Sequence, residues 1–314
     1  ILASNQNYLE SQMHLGAIYY EGRVVPRDIN KSIYYFTLAA NQNDPISAFN
    51  VGLFYHSGEF ISQDIDKSIY YYSIAAKQNH AQSQFNLGLI YEEVKGDIQK
   101  AIYYYTLAAN QNNSEAQYNL GVIYHEGKFV ERDINKAIRF YLLAAKQNYS
   151  DAYLNLGIIY SDGKYVNTNI NKTIEYYFLA INQGNSKAAY NLGNIYYEGK
   201  DVQINITKAI HYYSIAAEQN HSIALLNLGF IYFKGKLIAQ DIKKAIHYFT
   251  LSANLNNSQA QFNLGQIYEE GKYIKKDTNK AIHYYILASN QNFMQAQHNL
   301  GVIYNKGEYV KRDI

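Results

Sequence analysis

The sequence predicts an all-α fold, a solenoid of about nine helix-turn-helix repeats of 36 residues. The first of three observations is the period. A Leu-Gly or Val-Gly step recurs at Gly16, Gly52, Gly88, Gly121, Gly157, Gly193, Gly229, Gly265 and Gly301, every 36 residues except for one interval of 33. Second, each step is followed three residues later by Tyr and preceded by an aliphatic residue and, four residues earlier still, by Ser or Ala. With the Gly as position 0, positions −5, −1 and +3 form one helical stripe. Third, every repeat then places Asp or Asn three residues before a Lys-Ala/Ser/Thr-Ile step, as in Asp133 to Lys136-Ala137-Ile138. That is the signature of an N-cap opening a second helix.

Taken in order, the leading helix carries its first Gly in mid-helix, where Gly costs about 1 kcal/mol against Ala. Nine such copies imply a steric reason, a close helix-helix crossing. A second Gly at +6 (Gly22, Gly58, Gly127 and on to Gly307) ends the helix as a left-handed cap, and the third repeat lacks it. The trailing helix opens at Asp28, Asp64, Asp97, Asp133, Asn169, Asn205, Asp241 and Asp277. It continues through a Tyr/Phe pair and a small pair such as Ala144-Ala145, and ends at Asn7, Asn43, Asn79, Asn112, Asn148, Gly184, Asn220, Asn256 and Asn292. The lone Gly184 identifies the Asn as a left-handed residue. The short repeat loses three residues between Tyr91 and Asp97 and keeps both helices, so the deletion falls in the loop.

The pattern Ala-x-x-x-Leu-Gly-x-x-Tyr-x-x-Gly, then Asp-x-x-Lys-Ala-x-x-Tyr-Tyr-x-x-Ala-Ala, resembles the Sel1-like repeat, a relative of the tetratricopeptide repeat. The period of 36 against 34 for the latter and the Asp-x-x-Lys-Ala step favour the Sel1-like form. The resemblance implies a right-handed α/α superhelix that acts as an adaptor scaffold, with the −3, +1 and +4 side of the leading helices lining a concave groove. Some members clip their helices with paired cysteines; this chain has none.

Composition narrows the function. Hydrophobic residues make up 48% of the chain, and a net charge of +2 lacks the basic excess of a nucleic-acid binder. Zero cysteines exclude disulfides and thiolate metal sites. No apolar run is long enough to span or insert in a membrane, and no signal peptide is visible. The compartment stays open between cytoplasm, slightly favoured, and the lumen of the endoplasmic reticulum. The repeats predict one domain over 1–314, and Ile1–Asn7 matches 286–292, so the chain is expected to be cut from a longer array, starting in a trailing helix and stopping at Lys311–Ile314 before another.

Catalytic chemistry has no single location here, because every conspicuous residue is copied through the repeats. His211, His247 and His283 are equivalent in successive repeats, roughly 10 Å apart by helix packing, and read as a solvated face rather than metal ligands. No cofactor site is expected. Asn-x-Ser/Thr sequons occur, among them Asn112, Asn148, Asn171, Asn205, Asn220 and Asn256; four of these are the helix-ending Asn followed by a Ser (Ser114, Ser150, Ser222, Ser258) suited to cap the next helix. The first-turn lysines (Lys31, Lys67, Lys100 and their equivalents) oppose the helix dipole, so their stems are expected to cover Tyr rings while the ammonium meets a carboxylate of a neighbouring repeat.

The expected function is therefore non-enzymatic, a scaffold holding a protein or peptide partner along an aromatic-lined groove, without nucleic acid. An endoplasmic reticulum quality-control adaptor is the alternative, with carbohydrate binding weaker. Two rows are candidates. Position −3 is largely apolar and aromatic, as at Phe49, Phe85, Tyr118, Tyr190, Leu226 and Phe262, while −2 is Asn in eight of nine repeats, including Asn119, Asn155, Asn191 and Asn227. Those amides either hold an extended peptide backbone or order the stack against the adjacent repeat. The seventh repeat stands apart: Leu226, Phe230 and Phe233 at −3, +1 and +4 predict an apolar patch flanked by Tyr190 and Tyr197 on one side and Phe262 on the other.

Overall fold

The computed structural model describes residues 8–306; the expectations for Ile1–Asn7, for Gly307 and for the last residues lie outside them. Contacts group the chain into two compact units, one ending at Ala152 and one beginning at Tyr153. Among the described residues all regular structure is helical. Helices of the first unit run over Leu9–Glu21, Ile29–Asn41, Pro45–Ser57, Ile65–Lys77, Ala81–Leu89, Ile98–Asn110, Ser114–Glu126 and Ile134–Ala145. After Ser150–Asp162, the second unit continues with Ile170–Asn182, Ser186–Glu198, Ile206–Glu218, Ser222–Lys234, Ile242–Asn254, Ser258–Glu270, Thr278–Ser289 and Met294–Lys306. In both units leading and trailing helices alternate, and each trailing helix from Ile29–Asn41 to Ile98–Asn110 and from Ile206–Glu218 to Thr278–Ser289 packs on the leading helices before and after it.

The caps follow the sequence at nearly every position. Each trailing-helix Asp or Asn accepts from the lysine amide three residues on, at 2.9–3.1 Å. The helix-ending asparagines have φ of 59–66° and Gly184 has 79°, so Asn and Gly do the same conformational work there. In the third repeat the leading helix runs on as a π-helical turn, Ile90–Val94, and the left-handed residue moves to Gly96 at φ 66°. One expectation is corrected. Ser114, Ser222 and Ser258 are first helical residues, and the caps are Asn113, His221 and Asn257, whose side chains accept from the amides three residues on. The left-handed Asn turns the chain one residue earlier than a serine cap requires.

His80 caps in the same way, its Nδ1 accepting from the Ser83 amide at 3.2 Å, as His221 Nδ1 accepts from Ala224. Burial lowers both imidazole pKa values, and a protonated Nδ1 cannot accept. The unfolded chain, titrating near 6.5, takes up the proton first, so this stability is full above that pH and falls as pH drops through the folded values. Replacing both by Asn, the cap at Asn113, is expected to flatten the fall in melting temperature between pH 7.5 and 5. An unchanged slope would show that other groups set it.

Two devices bind the helix pairs. The mid-helix Gly makes room for an aromatic ring: a Cβ on Gly52, Gly121 or Gly193 would lie 2.6 Å from the ring of Tyr72, Tyr141 or Tyr213. The steric reason is thus a buried ring against the helix backbone. On the stripe's other end, the +3 Tyr stacks on the first ring of the trailing pair in all eight complete repeats, with centroids 5.6–6.0 Å apart and planes within 15°. The first-turn lysine ammonium sits 4.5–5.1 Å from the Tyr centroid. Its carboxylate is the N-cap Asp of its own helix, 3.0–4.0 Å away in six repeats, not that of a neighbouring repeat. The correction has a simple cause: Asp and Lys three apart share one face of the helix, and the ring fixes the lysine there.

A buried amide ladder, which the sequence reading missed, links successive repeats. Gln84, Gln117 and Gln261 donate to the carbonyls of Ala76, Ala109 and Ala253 in the preceding repeat, at 3.0–3.2 Å. Each also accepts from the glutamine just before the left-handed Asn of its own repeat (Gln111, Gln147, Gln291) at 2.6–2.9 Å. The signal was present as Gln recurring at −4 and in the trailing Gln-Asn step.

Candidate partner-binding surface

The second aromatic residue of each trailing helix carries the geometry of the candidate surface. Tyr72, Tyr105, Tyr141, Tyr213 and Tyr285 are fully buried, yet the hydroxyls of Tyr105, Tyr141, Tyr213 and Tyr285 reach polar side chains of the leading helix, whereas that of Tyr72 is buried without a partner. Tyr105 and Tyr285 donate to Glu92 and Glu269 at 2.6 Å, and Tyr213 donates to Asn194 at 2.6 Å. Burial raises the pKa of all these that shift, with Tyr72 pushed up to about 12, so the phenols stay protonated donors at neutral pH.

The −2 asparagines approach the same hydroxyls from the next repeat. Asn191 Nδ2 donates to Tyr177 at 3.5 Å and Asn299 Nδ2 to Tyr285 at 3.0 Å. Burial dominates the upward shifts of Tyr105 and Tyr213, and hydrogen bonds from Asn119 and Asn227 oppose it. Asn155 is likewise engaged. The row therefore has intramolecular acceptors that tie one repeat to the next.

Most of the −3 row is half-buried rather than open, with Phe85 and Leu154 buried and His298 exposed. Tyr190 stacks on His221 at 4.7 Å and leans on Tyr213 at 6.0 Å. Phe262 packs on Tyr285 and Phe293 at 5.8 and 5.1 Å. Both turn toward the following repeat.

In the seventh repeat the buried Tyr is replaced by Phe249, and its surroundings change with it. Leu226, Phe230 and Phe233 gather on one cluster built from Ala245, Phe249 and Leu264. Phe230 meets Phe249 edge to face at 5.3 Å, Phe233 lies 6.2 Å from it, and Phe233 meets Tyr273 at 5.6 Å. Where Tyr105, Tyr213 and Tyr285 pair a hydroxyl with Glu or Asn, this repeat pairs an apolar ring with apolar rings; the first repeat likewise carries a Phe, Phe36, at this position. Both phenylalanines remain half-buried and line clefts. A cleft of about 290 Å³ lies between Phe230, Phe233, Phe249 and Tyr273, with Asn263, Gln266, Glu270 and Lys272 on its walls. A smaller one of about 180 Å³ joins Phe230 to Tyr197, Ile206 and Leu237, with Lys234 and Lys236 at its edge. Tyr197 thus does meet the patch, whereas Tyr190 and Phe262 line neither cleft. Asn263 lines the larger cleft with its Nδ2 buried and unpaired, and Phe249 beside it offers no hydroxyl; the Asn263 Oδ1 accepts from Gln259 at 3.1 Å.

His211, His247 and His283 are exposed, each edge-on to the following Tyr at 5.1–5.4 Å. Among the described residues no three His, Asp or Glu side chains converge as a metal would require. No helix there is long and apolar enough to cross a membrane.

The geometry matches known proteins. The family model for the Sel1 repeat matches residues 9–44, 45–80, 81–113, 114–149, 150–185, 186–221, 222–257, 258–293 and 295–314. Among solved structures, the chain is similar to a protective antigen of uropathogenic Escherichia coli strains that displays an SLR fold. That likeness has 31% identity and a TM-score of 0.82, and covers 96% of this chain and 66% of the antigen. A Sel1 repeat protein from Oxalobacter formigenes aligns at 25% identity with a TM-score of 0.81, covering 96% of this chain and 88% of its own. No curated protein is similar enough in sequence to count as a relative.

Proposed function

The chain belongs to the Sel1 repeat family, and on that premise we propose that it is a non-enzymatic scaffold that binds a protein or peptide partner, with the seventh repeat as the energetic centre of the contact. The observation that carries the reading is the pair of clefts sharing Phe230. Half-buried aromatic side chains beside side-chain-sized hollows, rimmed by Lys234, Lys272 and Glu270, are the arrangement from which interface anchors draw their energy. The two clefts share the leading helix Ser222–Lys234, the larger one reaching to the following repeat and the smaller one to the preceding repeat. In this reading the −2 asparagines Asn119, Asn191, Asn227 and Asn299 belong to stack ordering, since their amides are spent on tyrosine hydroxyls.

Panning a random peptide display library on the protein tests it. Peptides selected on the protein are expected to lose about 30-fold in affinity against Phe230→Ala/Phe233→Ala, which corresponds to about 2 kcal/mol, while the helical circular dichroism of that variant is unchanged. Peptides that bind the double variant equally well would move the site elsewhere.

A further inference from the structure

Phe249 and Asn263 together make a vacancy of defined chemistry. In the fifth and eighth repeats a core hydroxyl, of Tyr177 and Tyr285, accepts from the −2 Asn of the next repeat. In the seventh the hydroxyl is missing and the matching donor, Asn263 Nδ2, is buried without an acceptor. A buried donor left unpaired is costly, and a partner that supplied the acceptor would recover that cost on binding.

We propose that the cleft over Phe249 is a receptor site for the phenol of a partner's tyrosine, which supplies in trans the hydroxyl that Tyr177 and Tyr285 supply within the chain. The inference rests on the scaffold reading above and specifies what enters its larger cleft. Three features select a phenol. The hollow of about 290 Å³ falls at the lower limit of ligand pockets and suits one large side chain. Its walls are the rings of Phe230, Phe233, Phe249 and Tyr273, already meeting edge to face, and a further ring extends that packing. A phenol brings one O–H, and Gln266 or Glu270 on the cleft wall accepts it, as Glu92 and Glu269 accept from Tyr105 and Tyr285. The phenol oxygen in turn accepts from Asn263, which turns about its side-chain torsions and brings Nδ2 toward that oxygen in the cleft.

N-acetyl-tyrosinamide and N-acetyl-phenylalaninamide are the probes, titrated into the whole chain while the side-chain amide resonances of Asn263 are followed by NMR. The tyrosine amide is expected to bind about tenfold more tightly, the effect of one hydrogen bond to a donor otherwise left unpaired. Phe249→Tyr supplies the missing hydroxyl from inside, so it should melt at or above the wild type and abolish binding of the tyrosine amide. Equal affinity of the two probes, binding of neither, undiminished binding to Phe249→Tyr, or a lowered melting temperature of that variant would each overturn the proposal. The outcomes separate the two levels. Peptides from the display experiment that depend on Phe230 and Phe233 but lose nothing when their Tyr is changed to Phe would overturn the phenol and leave the scaffold site standing. Peptides indifferent to Phe230 and Phe233 would remove the site itself.

Discussion

Gly157→Ala is expected to destabilise the protein by about 1–2 kcal/mol net, although alanine is the better helix former. A Cβ at this position would lie 2.5 Å from the Tyr177 ring. That ring is buried among Leu154, Ala180, Ala188 and Leu192 and has nowhere to move. Overpacking of this kind costs about 1–3 kcal/mol and occasionally more, against the roughly 1 kcal/mol that alanine gains in helix propensity. Gly157→Leu should fail to fold to a cooperative state. Urea denaturation reads the cost directly. A stabilised Gly157→Ala would mean that the glycine serves backbone conformation and not the ring.

Tyr213→Ala should cost about 3–5 kcal/mol, the usual range for emptying a large aromatic site. The ring is almost fully buried, closes on Gly193, and lies among Ala189, Ala209 and Leu228. Tyr213→Phe isolates the hydroxyl. It leaves the packing intact and removes the donor to Asn194 and the acceptor facing Asn227, for an expected loss of about 1–3 kcal/mol. Differential scanning calorimetry on the two variants separates packing from hydrogen bonding. If Tyr213→Phe were neutral, the polar ends of these tyrosines would contribute nothing, and the vacancy at Phe249 would lose its energetic meaning.

What the amino-acid order determined by itself is the set of structures closed within a few residues. The period placed the repeats, the Asp-x-x-Lys and Asn steps placed helix starts and ends, and Gly184 disclosed the left-handed turn at Asn43 and its equivalents. The loop of the third repeat was legible as a deletion between Tyr91 and Asp97 for the same reason. Each of these depends on backbone conformation and on bonds spanning three or four positions, which chain order states directly. Partners across helices were decided only by the tertiary structure. Serine and asparagine are both good caps, and only the exact turn made Asn113 the cap and Ser114 the first helical residue. The lysines had two possible carboxylates, and the tyrosine ring selected the one on the same helix. The glutamine ladder and the asparagine-to-tyrosine contacts depend on how far one helix is rotated against the next, which periodicity leaves unspecified. The seventh repeat shows both sides of this. Its phenylalanines were conspicuous in the sequence. That they enclose a cleft over Phe249, with Asn263 Nδ2 left unpaired in its lining, followed only when three helices from two successive repeats were brought together.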